Sequence, residues 1–209
     1  IYGDVISKLL EKKGHEVQKE YYVNDAGRQI DILTASVYLR AIEIEDNIFP
    51  ESAYRGEYIK EIAKNANLQD AVNIDDLFKS LPEDDEEKID KIISHLKSAS
   101  EKDWQSIKKV SLESVLSTIE KDLEDFGVTF DNWFLESSLL GADSKIDAAV
   151  QKLNTNNLID NRDGNIWFKS SDFGDDKDRV LIRADGRQTY FASDVAYHKD
   201  KLDRGFDEI

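Results

Sequence analysis

The sequence contains no cysteine, no methionine and only two prolines among its 209 residues. Without cysteine, the chain can form no disulfide, no thiolate zinc site and no cysteine nucleophile, and it suits a reducing compartment. The three histidines, His15, His95 and His198, are scattered along the chain, so we expect no structural metal cluster. The sequence therefore predicts no metal site.

Long apolar runs are also absent. A helix that crosses a bilayer needs roughly 20 consecutive apolar residues, and no secretory signal precedes the first amphipathic pattern. With 40% hydrophobic and 34% charged residues, the composition is typical of a soluble globular protein of one large or two small domains. We expect a cytoplasmic protein without a membrane partner.

Several motifs of catalysis and nucleotide binding do not occur. The sequence has neither of the glycine-rich phosphate loops, GxxxxGK[ST] and GxGxxG, and no HExxH metal motif. It also lacks the GxSxG turn, and no pattern indicates which of its serines and histidines would form a Ser-His-Asp triad. We therefore assign no catalytic residue.

The formal net charge is -16. Proteins that bind nucleic acid over a large face usually concentrate lysine and arginine there, so the charge argues against such a face in these residues. Much of the excess lies in the segment "NIDDLFKSLPEDDEEKIDK". Carboxylates suit the free N–H groups of a first helical turn, and we interpret this segment as the solvated start of a helix.

Apolar residues recur at spacings of three and four in most of the chain, which predicts helices. The first helix carries Ile6, Leu9 and Leu10 on one side and ends at Gly14. Five further helices are predicted: from about residue 29, in "YRGEYIKEIAKNAN", around residues 89–96, from about 101 to 125, and in "DSKIDAAVQKL". Asp143 or Ser144 would be the N-cap of the helix in "DSKIDAAVQKL".

Strand patterns alternate with these helices. "HEVQKEYYV" alternates apolar and polar residues, "VTFDNWFLES" is rich in aromatic and branched residues, and both predict strands. From residue 158 onward, "LID", "IWFKS" and "RVLIRA" are separated by a turn at "NRDGN" and a polar loop, and a second Asp-Gly turn precedes "TYF". The sequence therefore predicts an α/β protein with hairpins near its end.

Polar residues follow the first predicted strand, in the segment "EYYVNDAG". Asn24 and Asp25 would lie at the carboxyl end of that strand, where the strands of a parallel α/β sheet expose polar groups that line a cleft. An ordinary Asx turn followed by glycine explains the same residues equally well. Both interpretations stay open on these residues alone.

The segment "TYFASDVAYH" follows the second Asp-Gly turn. If a helix begins at its threonine, Tyr190 and Asp194 lie one turn apart on the same face. A carboxylate beside a phenol suits a planar cation, because a guanidinium donates forked hydrogen bonds to a carboxylate. His198 lies one turn further, and for it we favour a packed structural role. A surface pair without a ligand is the alternative for Tyr190 and Asp194.

Three long segments of the sequence resemble bacterial-type arginyl-tRNA synthetases, in the same order and with similar separations. They are "GDVISKLLEKKGHEVQKEYYVNDAGRQI", "FPESAYRGEYIKEIA" and "RADGRQTYFASDVAYHKDKLDRGFDEI", and "GVTFDNWFLESSL" is a fourth match. The resemblance covers nearly the whole chain and is weakest in the acidic middle. It implies part of a Rossmann-like class I catalytic domain at 1–33 and 179–209, with a mostly helical, mixed connective insertion at 34–178.

The resemblance also implies a function. In that family, the residues matched by Tyr190 and Asp194 bind the side chain of the substrate arginine, and the signature matched by Asn24 and Asp25 lies at the edge of the active-site cleft. His198, one turn beyond Asp194, is a further candidate for lining this cleft. The full enzyme is an ATP-dependent ligase that activates arginine and attaches it to its tRNA. ATP with Mg²⁺ is the expected co-substrate, arginine and tRNA are the expected partners, and we expect a monomer.

The ATP signatures of that family, the HIGH and KMSKS motifs, do not occur in the sequence. We therefore expect an excerpt that cannot activate arginine alone. Two other functions are compatible with the same residues. One is a non-catalytic insertion module that binds the tRNA acceptor end or a protein partner. The other is a diverged synthetase-like protein without activity.

Overall fold

The computed structural model describes residues 1–69, 74–141 and 143–209, apart from the side chains at positions 75 and 76. These residues form two compact units, Ile1–Trp133 and Phe134–Ile209. No helix in the described ranges is long and apolar enough to span a bilayer.

The first unit is mainly helical. Its elements are α1 (Tyr2–Lys12), β1 (Glu20–Val23), α2 (Arg28–Ala41), α3 (Glu57–Ala63), α4 (Asp75–Lys79), α5 (Asp85–Ala99) and α6 (Glu101–Asp125). Strand β2 (Asn132–Leu135) begins at the end of this unit and pairs with β1 in a two-stranded sheet. The backbone N–H of Asn132 donates to the carbonyl of Lys19 (3.2 Å) at the start of this pairing.

Local chemistry explains where the two long helices begin. The carboxylate of Asp84 accepts a hydrogen bond from the N–H of Glu87 (2.9 Å), and three acidic residues follow in the first turn of α5. This capping confirms that the acidic segment starts a helix. Ser100 caps α6 by accepting from the N–H of Asp103 (3.3 Å), and Gly127 adopts a positive φ of 77° just after its end.

The core of the first unit surrounds α2. Three helices pack against α2 through the apolar faces that the periodicity predicts. They are α3, α5 and the first half of α6. The fully buried side chains are Val37, Tyr38, Leu39, Ile59, Ile89, Ile92, Leu96, Trp104 and Ile107. The second half of α6 is less buried, so only part of its predicted apolar stripe reaches this core.

Helix α1 forms where the sequence predicts it. Its apolar residues lie on one side, yet α1 has no buried residue, and Ile6, Leu9 and Leu10 remain 37%, 59% and 36% exposed. Periodicity predicts that a helix is amphipathic, but it does not reveal which surface covers the apolar face.

The second unit contains the end of β2, α7 (Lys145–Thr155), β3 (Ile159–Arg162), β4 (Asn165–Phe168), β5 (Arg179–Ile182) and α8 (Tyr190–Asp203). Two short 3₁₀ turns span Glu136–Leu139 and Ser170–Phe173. Strands β3, β4 and β5 form an antiparallel sheet in that order, with Ile159 opposite Phe168 and an irregularity between Ile166 and Trp167. The chain is therefore α/β, with small sheets.

The predicted hairpin turn at "NRDGN" is confirmed. Asp163 and Gly164 both have positive φ, 50° and 77°, which matches the twist of a two-residue hairpin loop. After the second Asp-Gly turn, only Gln188 pairs back, in a single bridge with Ile182. A helix then begins at Tyr190, because Thr189 caps it.

Candidate functional site

Helix α8 begins where the sequence predicts. Thr189, the residue before it, binds both β5 and the first turn of the helix. The Thr189 hydroxyl donates to the carbonyl of Val180 (2.6 Å) and accepts from the N–H of Ala192 (3.3 Å). The Thr189 N–H donates to the carbonyl of Leu181 (3.0 Å). These bonds fix the position of the first turn of α8 relative to β5.

The two sides of α8 differ in burial. Ala192, Ser193, Ala196, Tyr197 and Asp200 are buried. Tyr190, Asp194 and His198 lie on the opposite, exposed side, and the Tyr190 side chain is 83% exposed. Because these three residues are spaced by four, the phenol, the carboxylate and the imidazole share one face.

Neither the Tyr190 hydroxyl nor the Asp194 carboxylate is engaged by another side chain within the described part of the chain. Their neighbours on α8 pair elsewhere: Lys199 binds Asp203 (2.5 Å) and Arg204 binds Asp200 (2.9 Å). The carboxylate is therefore open to an incoming cation. A carboxylate suits a guanidinium, because the guanidinium is a planar cation that donates hydrogen bonds to acceptors in its own plane.

His198 stays on this exposed face, so the expectation of a packed role is wrong. Its Nδ1 lies 2.8 Å from the backbone carbonyl oxygen of Asp194, and its ring meets the Tyr197 ring edge-on at 6.1 Å. The imidazole is held by its own helix because an i, i+4 spacing brings the ring over that carbonyl. This contact orients the ring beside Asp194.

Asn24 and Asp25 belong to the first unit, directly after β1. Asn24 is exposed, whereas Asp25 is 5% exposed, and the Asp25 N–H donates to the carbonyl of Val23 (3.0 Å). Gly27, with φ of 83°, turns the chain into α2. This turn brings Asn24 and Asp25 together between β1 and α2, as the sequence predicts, but only Asn24 presents its side chain to solvent.

A buried carboxylate on the inner side of α8 was not predicted. Asp200 accepts a charge-assisted hydrogen bond from Lys145 Nζ (2.6 Å) at the start of α7 and pairs with Arg204 Nε (2.9 Å) on α8. Its side chain is 10% exposed. The i, i+4 spacing could have suggested Arg204 as a partner, but no sequence signal connects position 145 with position 200.

The described residues hold no group of three or more histidine, aspartate or glutamate side chains arranged to bind a metal ion. Carboxylates in the loop before β5 bind arginines instead. Arg179 forms a fork on Asp175, with distances of 2.7 and 2.6 Å, and these bonds lower the pKa of Asp175. Arg162 bridges Asp160 and Asp178 in the same way (2.9 and 2.7 Å).

Comparisons with known proteins agree with the resemblance. The family model for the catalytic domain of the class I tRNA synthetases (R) matches residues 1–208. An arginine–tRNA ligase of Acinetobacter baylyi is 43% identical over 233 residues, which cover 100% of this chain and 39% of the relative. The ligase of Psychrobacter cryohalolentis is also 43% identical, over 37% of its length. The chain thus spans about two fifths of these relatives.

Solved structures give the same picture of the fold. A structure described as an arginyl tRNA synthetase from Campylobacter jejuni is 33% identical, with a TM-score of 0.72 over 99% of this chain and 41% of that one. The arginyl-tRNA synthetase of Plasmodium falciparum is 15% identical with a TM-score of 0.58, which is a likeness of fold alone.

Proposed function

This chain belongs to the family of class I tRNA synthetases for arginine, and we propose that it is the part of an ATP-dependent ligase that holds arginine for attachment to its tRNA. The observation that carries this proposal is the exposed face of α8, where Tyr190 and Asp194 lie one turn apart with no competing partner in the described residues. We assign the guanidinium of arginine to these two side chains.

Chemistry separates arginine from lysine at such a pair. The guanidinium is planar and always charged, and it presents two N–H groups in parallel to both oxygens of the Asp194 carboxylate. The Tyr190 hydroxyl adds an acceptor, and its ring covers one side of the plane. A lysine ammonium has three donors but no planar pair that matches both carboxylate oxygens, and it loses more hydration, so the pair favours arginine.

The proposed reaction has two steps. The carboxylate of arginine attacks the α-phosphate of ATP and releases pyrophosphate, which leaves arginine joined to AMP as an acyl phosphate. A hydroxyl of the terminal ribose of the tRNA then attacks the arginyl carbonyl, and AMP leaves. ATP is used with Mg²⁺, which neutralises phosphate charge. The residues of this chain position arginine, and such positioning contributes to the rate because it fixes the nucleophile before the reaction.

The organisation of the chain is part of the proposal. We assign 1–33 and 179–209 to a Rossmann-like catalytic domain and 34–178 to a connective insertion. In support, the elements of the proposed insertion are mostly helices together with an antiparallel hairpin, and Asn24 and Asp25 directly follow a strand, as at the cleft edge of a parallel sheet. A structure of the full-length protein in which β1 lies outside a parallel sheet would contradict this assignment.

Binding of arginine tests the site. In full-length protein, Asp194→Asn should weaken arginine binding by about 2–4 kcal/mol, or roughly 30- to 1000-fold, because the guanidinium loses its charged acceptor. Calorimetric titration with arginine and with lysine measures this change. Tyr190→Phe should cost about 1 kcal/mol, the loss of one hydrogen bond.

Asp203→Asn is the matched control, because Asp203 lies on the same helix and binds only the exposed Lys199 in the described residues. It should leave arginine affinity unchanged. If Asp194→Asn and Asp203→Asn bind arginine equally well, the assignment of the guanidinium to α8 is wrong. Full-length protein that binds no arginine at all would favour the non-catalytic insertion module.

A further inference from the structure

A cavity of about 430 Å³ lies between α2, α3 and α6 in the first unit. Most of its wall is apolar, from Ile30 and Leu33 on α2 to Val115 and Ile119 on α6. None of the residues that line it carries a formal charge at neutral pH, although 34% of the chain is charged. Ligand sites in proteins typically have this volume and this apolar character, with a few polar groups that fix orientation.

Two of those polar groups lie side by side. The Tyr54 hydroxyl and the Gln29 carboxamide both line the cavity and form a hydrogen bond of 2.7 Å. This bond uses one donor and one acceptor and leaves a second donor and a second acceptor on the pair. The same holds if the carboxamide is turned around. The cavity therefore offers a neighbouring donor and acceptor to a ligand.

A flat aromatic wall completes the cavity. The Tyr58 ring is half exposed and lies directly over Gly56, where a Cβ would come within 2.6 Å of a ring carbon. Only glycine leaves room for the ring in this position. Partial burial raises the pKa of Tyr58 above its ordinary value, and the phenol, which is neutral at physiological pH in any case, brings no charge into the cavity.

The floor of the cavity belongs to the core, whereas Gln29 and Tyr58 at its edge are exposed. Leu33 and Ile62 belong to the hydrophobic core, and Ile30 and Val115 pack against it. The backbone N–H of Tyr54 donates to the hydroxyl of the buried Ser36 (2.9 Å). The wall cannot collapse without disturbing this packing.

Two of the segments that carry the family resemblance meet at this cavity. Gln29 belongs to the first segment, close to its end, and Tyr54 and Tyr58 belong to "FPESAYRGEYIKEIA". Neither the glutamine nor the two tyrosines has a role in the binding of arginine proposed above. Their convergence needs another explanation.

We propose that this cavity binds a nucleobase. Every nucleobase is flat and uncharged, and it carries a neighbouring donor and acceptor on one edge, which match the pair at Gln29 and Tyr54. Unpaired bases stack on aromatic side chains and bond through this edge in proteins that recognise single strands. A charged ligand would find no counter-charge among the lining residues, and a hydrocarbon chain would leave the polar pair unused.

The base has two possible sources, a free nucleoside or an unpaired base of an RNA strand. The second source rests on the proposed function, because it takes the strand to be tRNA. Titration of full-length protein with uridine, and separately with a single-stranded oligouridine, distinguishes the two sources. Uridine lacks the adenine ring that an ATP site recognises, so it reports on this cavity.

Three variants test the cavity directly. Gln29→Ala and Tyr54→Phe should each weaken uridine binding by about 3- to 10-fold, the loss of one hydrogen bond. Gly56→Ala should weaken it as well, because the added methyl group displaces the Tyr58 ring without removing any polar group. Gln151→Ala and Tyr2→Phe, at exposed positions outside the cavity, should leave the affinity unchanged.

Uridine binding that is weakened in the three cavity variants and unchanged in the two control variants supports the proposal. An oligouridine that binds more tightly than uridine, with the same losses, identifies RNA as the source, and equal affinities identify the nucleoside. Failure of both probes to bind, or binding that the variants leave unchanged, overturns the proposal. Arginine affinity is measured in the same proteins and should be unchanged in Gln29→Ala, so failure here is distinct from failure of the arginine site.

Discussion

At the scale of single residues, Asp200 joins two elements that lie far apart in the sequence. Its carboxylate is 10% exposed and is bound by Lys145 at the start of α7 and by Arg204 on α8. Replacement of this carboxylate by a neutral amide would remove the negative charge that it supplies to both cations. The buried side of α8 would lose this charged contact with α7, so the exposed side would be held less firmly, although Thr189 still fixes the first turn.

We therefore predict that Asp200→Asn weakens arginine binding, although Asp200 is not one of the residues proposed to contact arginine. Because Lys145 is 44% exposed and water screens it, we expect a modest cost of about 1–2 kcal/mol. Under the proposed function, KM of the full-length protein for arginine should rise about 5- to 30-fold while kcat falls less. Steady-state kinetics measure this split.

Asp203→Asn provides the comparison, since it removes a carboxylate from the exposed ion pair with Lys199 on the same helix. It should change neither constant. Asp200→Glu, which keeps the charge, should recover part of the affinity. Equal effects of Asp200→Asn and Asp203→Asn would exclude a positioning role for the buried carboxylate.

At the scale of elements, capping residues set where helices begin. Ser144 precedes α7 and accepts a hydrogen bond from the N–H of Asp147 (3.1 Å). Helix α7 also carries Lys145, so its first turn holds one partner of Asp200. The stability of this turn therefore affects the contact between α7 and α8.

Ser144→Ala should loosen the first turn of α7, because a lost N-cap costs about 1 kcal/mol. Amide hydrogen exchange in full-length protein should become about fivefold faster at residues 147–149. Ser117→Ala, an exposed position inside α6, should leave local exchange unchanged or slow it slightly, since alanine is the better helix former. Equal exchange at α7 in both variants would show that the cap is unimportant.

Most elements could be predicted from the sequence because their signals are local. The periodicity of α6 gives its bounds, 101 to 125, and the Thr189 cap gives the start of α8. The shared face of Tyr190 and Asp194 follows from their spacing, but its exposure does not. By contrast, β1 begins at Glu20, later than the alternation that starts near Val17, because pairing depends on a partner strand distant in sequence.

The contacts that shape the candidate sites were harder to predict. The cavity beside Gln29 and Tyr54 needs α2, α3 and α6 to pack at particular angles, and no pattern in any one of them encodes that. The pairing of Lys145 with Asp200 joins residues 55 positions apart. The burial of Asp25 beside the exposed Asn24 depends on tertiary packing in the same way.

At the scale of the whole molecule, carboxylates that are hydrogen-bonded in the folded state make stability depend on pH. Hydrogen bonds from Ser171 and Arg162 lower the pKa of Asp178, and the bond from Arg162 also lowers the pKa of Asp160. A carboxylate whose pKa is lowered by folding contributes stability that is fully present above its unfolded value of 3.8 and is lost as the pH falls through the folded value.

We predict that the β3–β5 sheet is equally stable from pH 7 to about 5 and loses stability below about pH 4. Amide exchange of the sheet, measured across this range, tests the prediction. Asp178→Asn should be less stable at pH 7 and should lose less on acidification, because it has no carboxylate to protonate there. The same dependence on pH in the variant would rule out Asp178 as a source of acid sensitivity.

The uncovered side of α1 has a practical consequence for anyone who handles these 209 residues separately. Tyr2, Val5 and Leu9 are 82%, 49% and 59% exposed, so a strip of hydrocarbon faces water along the helix. Exposed apolar surfaces of this kind favour self-association and bind dyes that fluoresce in an apolar environment. Added sulfate would strengthen this attraction and also screen the net charge of -16, which otherwise keeps the molecules apart. Dilute buffer without such salts is therefore the gentler choice for purification.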